Sequence, residues 1–101
     1  MDINYYGIVL TQSAKDDLNE IYKYISENLK EPKIAHKLMQ KIEKSIFNLE
    51  RLPYIHSEIL IRKKKFRRLI INNYITLYRI NEKRKQIIIY NVIYGKKDYL
   101  K

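Results

Sequence analysis

The sequence has no cysteine and no tryptophan, and only 2 glycines and 2 prolines among 101 residues. Without thiols there is no disulfide framework and no thiol chemistry, a composition that suits a reducing compartment. The scarcity of Gly and Pro argues against disorder, and a hydrophobic fraction of 46% supplies enough apolar surface to offset the entropy of ordering the chain. Long apolar runs are missing as well: none approaches the roughly 18 residues of a spanning helix. Met1-Asp2-Ile3-Asn4 lacks the basic start of a signal peptide, so a soluble cytoplasmic protein with no membrane contact is expected. A chain of this length has room for one core, which makes residues 1–101 a single domain.

Acidic residues are scarce in one part only. Residues 1–60 carry 8 Lys+Arg against 9 Asp+Glu, whereas residues 61–101 carry 13 against 2, so the whole net charge of +10 comes from the second part. A half so basic predicts an acidic partner, whether nucleic acid, anionic lipid or acidic protein.

Along the chain, Tyr5 to Thr11 reads as one strand. Ser13 then stands where an N-cap belongs, with Asp16 three residues on to complete a capping box. Ala14, Leu18, Ile21, Tyr22, Ile25 and Leu29 follow as one apolar helical face. After a break at Lys30-Glu31, Pro32 suits the first turn of a second helix running to about Arg51. Its stripe includes Ile34, Ala35, Leu38, Ile42, Ile46, Leu49 and Leu52, and Pro53 stops it. So short a connection makes the two helices an antiparallel hairpin.

Past a loop at Pro53 to Ser57 the period falls to 2. Strands are expected at Phe66 to Ile71, Tyr74 to Ile80 and Gln86 to Tyr94, with a two-residue turn at Asn72-Asn73. Pairing Ile71 with Tyr74 places Arg68, Ile70, Ile75, Leu77 and Arg79 on one face, and Arg67, Leu69, Tyr74, Thr76 and Tyr78 on the other. The order β-α-α-β-β-β is an α+β architecture, a helical hairpin on one side of a small, mainly antiparallel sheet.

The candidate binding residues follow the charge: Lys63, Lys64, Lys65, Arg67, Arg68, Arg79, Lys96 and Lys97, any of which can hold a phosphate. Arg68 and Arg79 on one strand face could clamp an anion. His36 and His56, 20 positions apart with no cysteine, form no metal site, and no cofactor is expected. Tyr22, Tyr24 and Tyr78 belong to the core by their periodicity, while Tyr94 and Tyr99 beside Lys96 and Lys97 are candidates for stacking on bases. Neither a phosphate-binding loop nor a nucleophile elbow is present.

The segments IVLTQSAKDDLNEIYKYI, AHKLMQKIEKSIFNLERLP, RRLIINNYITLYRI and VIYGKKDY, in that order and spacing, resemble the RelE/ParE superfamily of toxins from type II toxin–antitoxin systems over nearly the whole chain. The resemblance implies a small cytoplasmic toxin that arrests growth, neutralised by a co-expressed antitoxin laid over its sheet and hairpin. It is compatible with a homodimer or with a heterotetramer that includes the antitoxin.

RelE-type members cut messenger RNA in the ribosome, and ParE-type members poison DNA gyrase. RelE-like nucleases tend to carry an arginine where this chain has Ile75, a histidine in some members where it has Tyr94, and a functional tyrosine further beyond the Gly-Lys motif than Tyr99. These departures favour the ParE branch, a binding toxin. Under the alternative, an RNA-cleaving toxin, Arg68, Arg79 and Lys96 would steady the phosphate while Tyr94, Tyr99 or His56 assists the 2′-hydroxyl. A plain nucleic-acid-binding module is the third reading.

Overall fold

The structure, a computed structural model, describes residues 5–95. Strand β1 (Gly7–Leu10) leads into helix α1 (Gln12–Lys23), which widens into one π turn over Tyr24–Asn28. Helix α2 (Pro32–Phe47) ends in a 3-10 turn at Asn48–Glu50 and is followed by β2 (Glu58–Ile61), β3 (Lys64–Ile71), β4 (Tyr74–Asn81) and β5 (Gln86–Tyr94). The five strands form one sheet in the order β1-β5-β4-β3-β2, antiparallel except for the β1–β5 pair. The α+β class holds, with one strand more than the sequence suggested.

That strand is β2. Glu58-Ile59-Leu60-Ile61 does not alternate, and the turn joining it to β3 is Arg62-Lys63, at φ 50° and 69°. Such two-residue turns normally advertise themselves as Asn-Gly; here cations hold the left-handed positions and hide the hairpin inside a basic run.

The start of α1 also differs. Thr11, not Ser13, is the N-cap: its Oγ1 accepts from the Ala14 N–H at 3.1 Å and donates to the Tyr90 carbonyl at 3.1 Å, so one side chain joins the helix start to β5. Ser13 lies inside the helix, where its Oγ accepts from the Asn91 amide at 2.8 Å. Asp16 accepts from Gln12 instead of reaching back to a cap. Asp17 does more, accepting the Val92 N–H at 2.9 Å where β5 runs on past its partner β1.

The core lies between the hairpin and one face of the sheet. Ala14, Ile25, Ala35, Leu38, Ile42, Ile46 and Leu49 meet Leu69, Ile71, Tyr78, Ile87, Ile89 and Val92, all buried. The register Ile71↔Tyr74, Ile70↔Ile75 and Arg68↔Leu77 is as read from the turn. Tyr24, expected in the core, is instead 54% exposed, as are Leu29 at 51% and Ile34 at 54%. At the end of α1 the π turn adds a residue, so the stripe that carries Tyr24 and Leu29 rotates away from the sheet; Ile34 lies in the first turn of α2. None of the described helices is long and apolar enough to cross a membrane.

Candidate functional site

Among the described residues no helix covers the sheet face away from the hairpin, although Ile75 and Leu77 at its centre are buried. By the alternation of the strands it presents Lys64, Phe66, Arg68 and Ile70 from β3, Ile75, Leu77 and Arg79 from β4, and Ile88, Tyr90 and Ile93 from β5. A bulge in β5 opposite Leu77/Tyr78 inserts Tyr90 into the ladder, and a bulge re-aims the residue it adds. Tyr90 meets the Phe66 ring edge-on at 5.5 Å between centroids, and the Arg79 guanidinium lies 5.7 Å from the same centroid. A cleft of about 390 Å³ beside them is lined by Arg79, Asn81, Glu82, Lys83, Ile88 and Tyr90.

The cations named from the sequence divide three ways. Lys63, Lys64 and Lys65 are exposed at the β2–β3 turn. Arg68 and Arg79 share the uncovered face as expected, with the Arg68 Nε donating to the Ser57 hydroxyl at 3.4 Å. Arg67 points to the hairpin side and is engaged within the fold. Its Nη1 donates to the carbonyls of His56 at 2.6 Å and Tyr54 at 3.2 Å, its Nη2 lies 3.8 Å from Glu58, and its guanidinium covers the Tyr54 ring at 5.0 Å. Arg67 thereby pins the loop before β2. Lys96, Lys97 and Tyr99 lie outside the described residues.

Tyr94 and His56 are not on the face that holds Arg68 and Arg79. Tyr94 pairs with Tyr74 on the hairpin side, the two rings 5.6 Å apart. There they border a groove of about 630 Å³ with Tyr24, Leu29 and Ile34. His56 packs edge-on against Tyr78 at 6.3 Å; burial, and then the charge of Arg67, hold its imidazole below its usual pKa. His36 is exposed on α2, and the described residues contain no cluster of His, Cys, Asp or Glu able to hold a metal ion.

Sequence reading missed two features. One is Tyr90, which a bulge alone brings next to Arg79. The other is Glu82, whose carboxylate accepts from Tyr6 at 2.6 Å, from Lys85 at 2.7 Å and from Tyr54. These donors, Lys85 foremost, hold its pKa down to about 2, and the same bond raises Tyr54 to about 12. The only signal for it was that Glu82 is the sole acid between Glu58 and Asp98.

The family model of the ParE toxin of the type II toxin–antitoxin system parDE matches residues 8–99. The chain belongs to the ParE toxin family. This ParE-family chain has the order of the RelE/ParE fold, an N-terminal strand, two helices and a five-stranded, mostly antiparallel sheet. Its fold is similar to that of the chromosomal ParDE system from P. aeruginosa, at 20% identity and a TM-score of 0.72, covering 92% of this chain and 99% of that one. It is also similar to the toxin–antitoxin complex RelBE2 from Mycobacterium tuberculosis, at 19% identity and TM-score 0.66, covering 92% and 94%. A third relation is the archaeal RelE–RelB complex from Pyrococcus horikoshii OT3, at 12% identity and TM-score 0.55, covering 93% and 99%. No curated protein sequence matches the chain. This ParE-family chain is a type II toxin, the component whose relatives are found with an antitoxin.

Proposed function

We propose that this toxin arrests growth by binding DNA gyrase, without cutting RNA, and that a cognate antitoxin neutralises it. The observation that carries the reading is that Tyr94 and His56, the proton-transfer candidates named from the sequence among the described residues, do not share a face with Arg68 and Arg79. Arg68 and Arg79 stand on the uncovered face, while Tyr94 and His56 stand on the hairpin side. Phosphodiester cleavage needs both kinds of group around one phosphate; a binding toxin needs the charge alone. The ParE family model over residues 8–99 supports the same branch. The exposed groove lined by Tyr24, Leu29, Ile34, Tyr74 and Tyr94 is suited to the apolar face of an antitoxin segment.

Inducing the toxin in cells is expected to trigger the DNA-damage response, and the purified protein is expected to stabilise gyrase cleavage complexes. Translation halting first, with neither effect seen, would sink the proposal. One observation favours a second reading. Tyr90 shares the uncovered face with Arg79, and a RelE-like messenger-RNA interferase could use that pair on ribosome-bound RNA. Mapping transcript 5′ ends after induction separates the two: new codon-phased cuts lost in Tyr90→Phe support cleavage, and their absence supports binding.

A further inference from the structure

Two hairpin tips stand side by side at one end of the sheet. The β2–β3 tip is Arg62-Lys63, followed at once by Lys64 and Lys65; the β4–β5 tip is Glu82-Lys83-Arg84-Lys85. The β3–β4 ladder ends at Arg67↔Tyr78, and both turns lie beyond that end of it, at the same end of the sheet. Their centres are two strand positions apart, on the order of 10 Å where strands are hydrogen-bonded and more where β3 and β4 part. Residues 20 apart in sequence thus form one exposed basic edge.

Three of these cations occupy backbone positions that resist them. Arg62, Lys63 and Lys85 have φ of 50°, 69° and 51°, the left-handed region where Gly or Asn sits at least cost. A sequence selected for hairpin stability alone would place Asn-Gly at such turns. Local strain retained at a charged tip points to what the charge does. The nearby carboxylates are meanwhile occupied: Glu82 by Lys85 and two tyrosines, Glu58 by Arg67. Lys85 offsets Glu82 and Arg67 offsets Glu58, so Lys63, Lys64, Lys65, Lys83 and Arg84 leave a net positive charge over the two tips.

We infer that this edge is a phosphate-binding surface for duplex DNA, gripped at two points and without sequence readout. The tip residues themselves, Arg62 to Lys65 and Glu82 to Lys85, include no aromatic or apolar side chain, the anchor that the centre of a protein interface needs, and the nearest exposed one is Leu60 opposite Lys65. Single strands are bound through open ring faces, yet the Phe66 ring is flanked by Arg79 and by the Tyr90 edge. A duplex carries one charge per roughly 1.7 Å of axis, so a span on the order of 10 Å or more offers at least about six to the two tips. The inference deepens the gyrase reading, since it has the toxin touch the DNA as well as the enzyme.

The test is fluorescence anisotropy of a labelled 25-base-pair duplex of random sequence, titrated with the whole chain at 50 to 200 mM salt. Four or five phosphate contacts predict a log–log slope near −4, and so a loss of affinity on the order of 10²-fold across that range. Lys63→Ala with Lys64→Ala and Lys65→Ala, or Lys83→Ala with Arg84→Ala, each flattens the slope by about 0.9 per cation removed. Lys33→Ala with Lys37→Ala, on α2, leaves it unchanged. Arg62→Asn with Lys63→Gly relieves the turn and so keeps the fold, and it flattens the slope as well. An unchanged slope in the tip variants overturns the inference, as does tighter binding of a 25-nucleotide RNA or of polyglutamate. Tip variants that lose duplex affinity but still stabilise gyrase cleavage complexes refute the DNA contact in the target while leaving the gyrase reading intact.

Discussion

The Tyr78 hydroxyl donates to the Pro53 carbonyl at 2.7 Å in a fully buried site, tying the centre of the sheet to the loop that follows the helical hairpin. Burial pushes the phenol up to about 12, so it remains a donor throughout the physiological range. Tyr78→Phe leaves that carbonyl without its donor at nearly constant volume. The expected cost is about 1–2 kcal/mol, read as a lower urea midpoint at unchanged slope, with faster proteolysis at residues 53–57. Equal stability of the two proteins would show that water or a neighbour replaces the bond.

Thr76 lies beneath the hairpin at 0% exposure, paired with Leu69 and Val92, and its hydroxyl has no hydrogen-bond partner among the described residues. Burying an unpaired hydroxyl is unfavourable, and valine has almost the same shape. Thr76→Val is therefore expected to stabilise the protein by about 1 kcal/mol in chemical denaturation. A loss of stability would reveal a partner for the hydroxyl.

Asp17 takes the place of a sheet neighbour. By accepting the Val92 N–H at 2.9 Å and an Asn91 amide proton at 3.1 Å, it occupies the strand edge that β1 leaves open. Asp17→Ala is expected to cost about 1–2 kcal/mol and to speed hydrogen exchange at Val92 more than at Ile87, which β1 covers. Uniform acceleration along β5 would argue against an edge role.

Acid is expected to weaken the fold in two steps, because two groups hold pKa values below their ordinary ones. His56 is neutral in the fold, so its contribution is full above the ordinary value of 6.5 and is lost as pH falls below it. Glu82 contributes fully above 4.5 and loses that contribution as pH falls toward about 2. His56→Gln should flatten the first step of a stability–pH profile, and Glu82→Gln the second. A profile unchanged in both variants would remove these groups as its cause.

The hairpin and the three long strands were legible because their periods are unambiguous: Leu38, Ile42, Ile46 and Leu49 recur at helical spacing, and Asn72 marks its own turn with φ 54°. β2 was not, since its turn is built from an arginine and a lysine. The N-cap slipped by two residues because Thr11 and Ser13 are chemically equivalent caps, and the Tyr90 carbonyl decides between them in three dimensions. The same limit held for function. The charge was evident from the sequence, but the two-sided placement of Arg79 and Tyr94 and the neighbouring tips depend on register, and a bulge at Tyr90 alters it.

The parallel pairing of β1 with β5 has a consequence for how the molecule is made. Gly7 meets Gln86 and Leu10 meets Ile89, so the ribosome delivers the first strand long before the neighbour it needs. At 5–20 residues per second that gap lasts roughly 4–16 s. Throughout it the nascent chain lacks the strand that joins β1 to the rest of the sheet. The first strand thus finds its neighbour only after β5 has been made, leaving an interval in which a partner can meet the chain half-built.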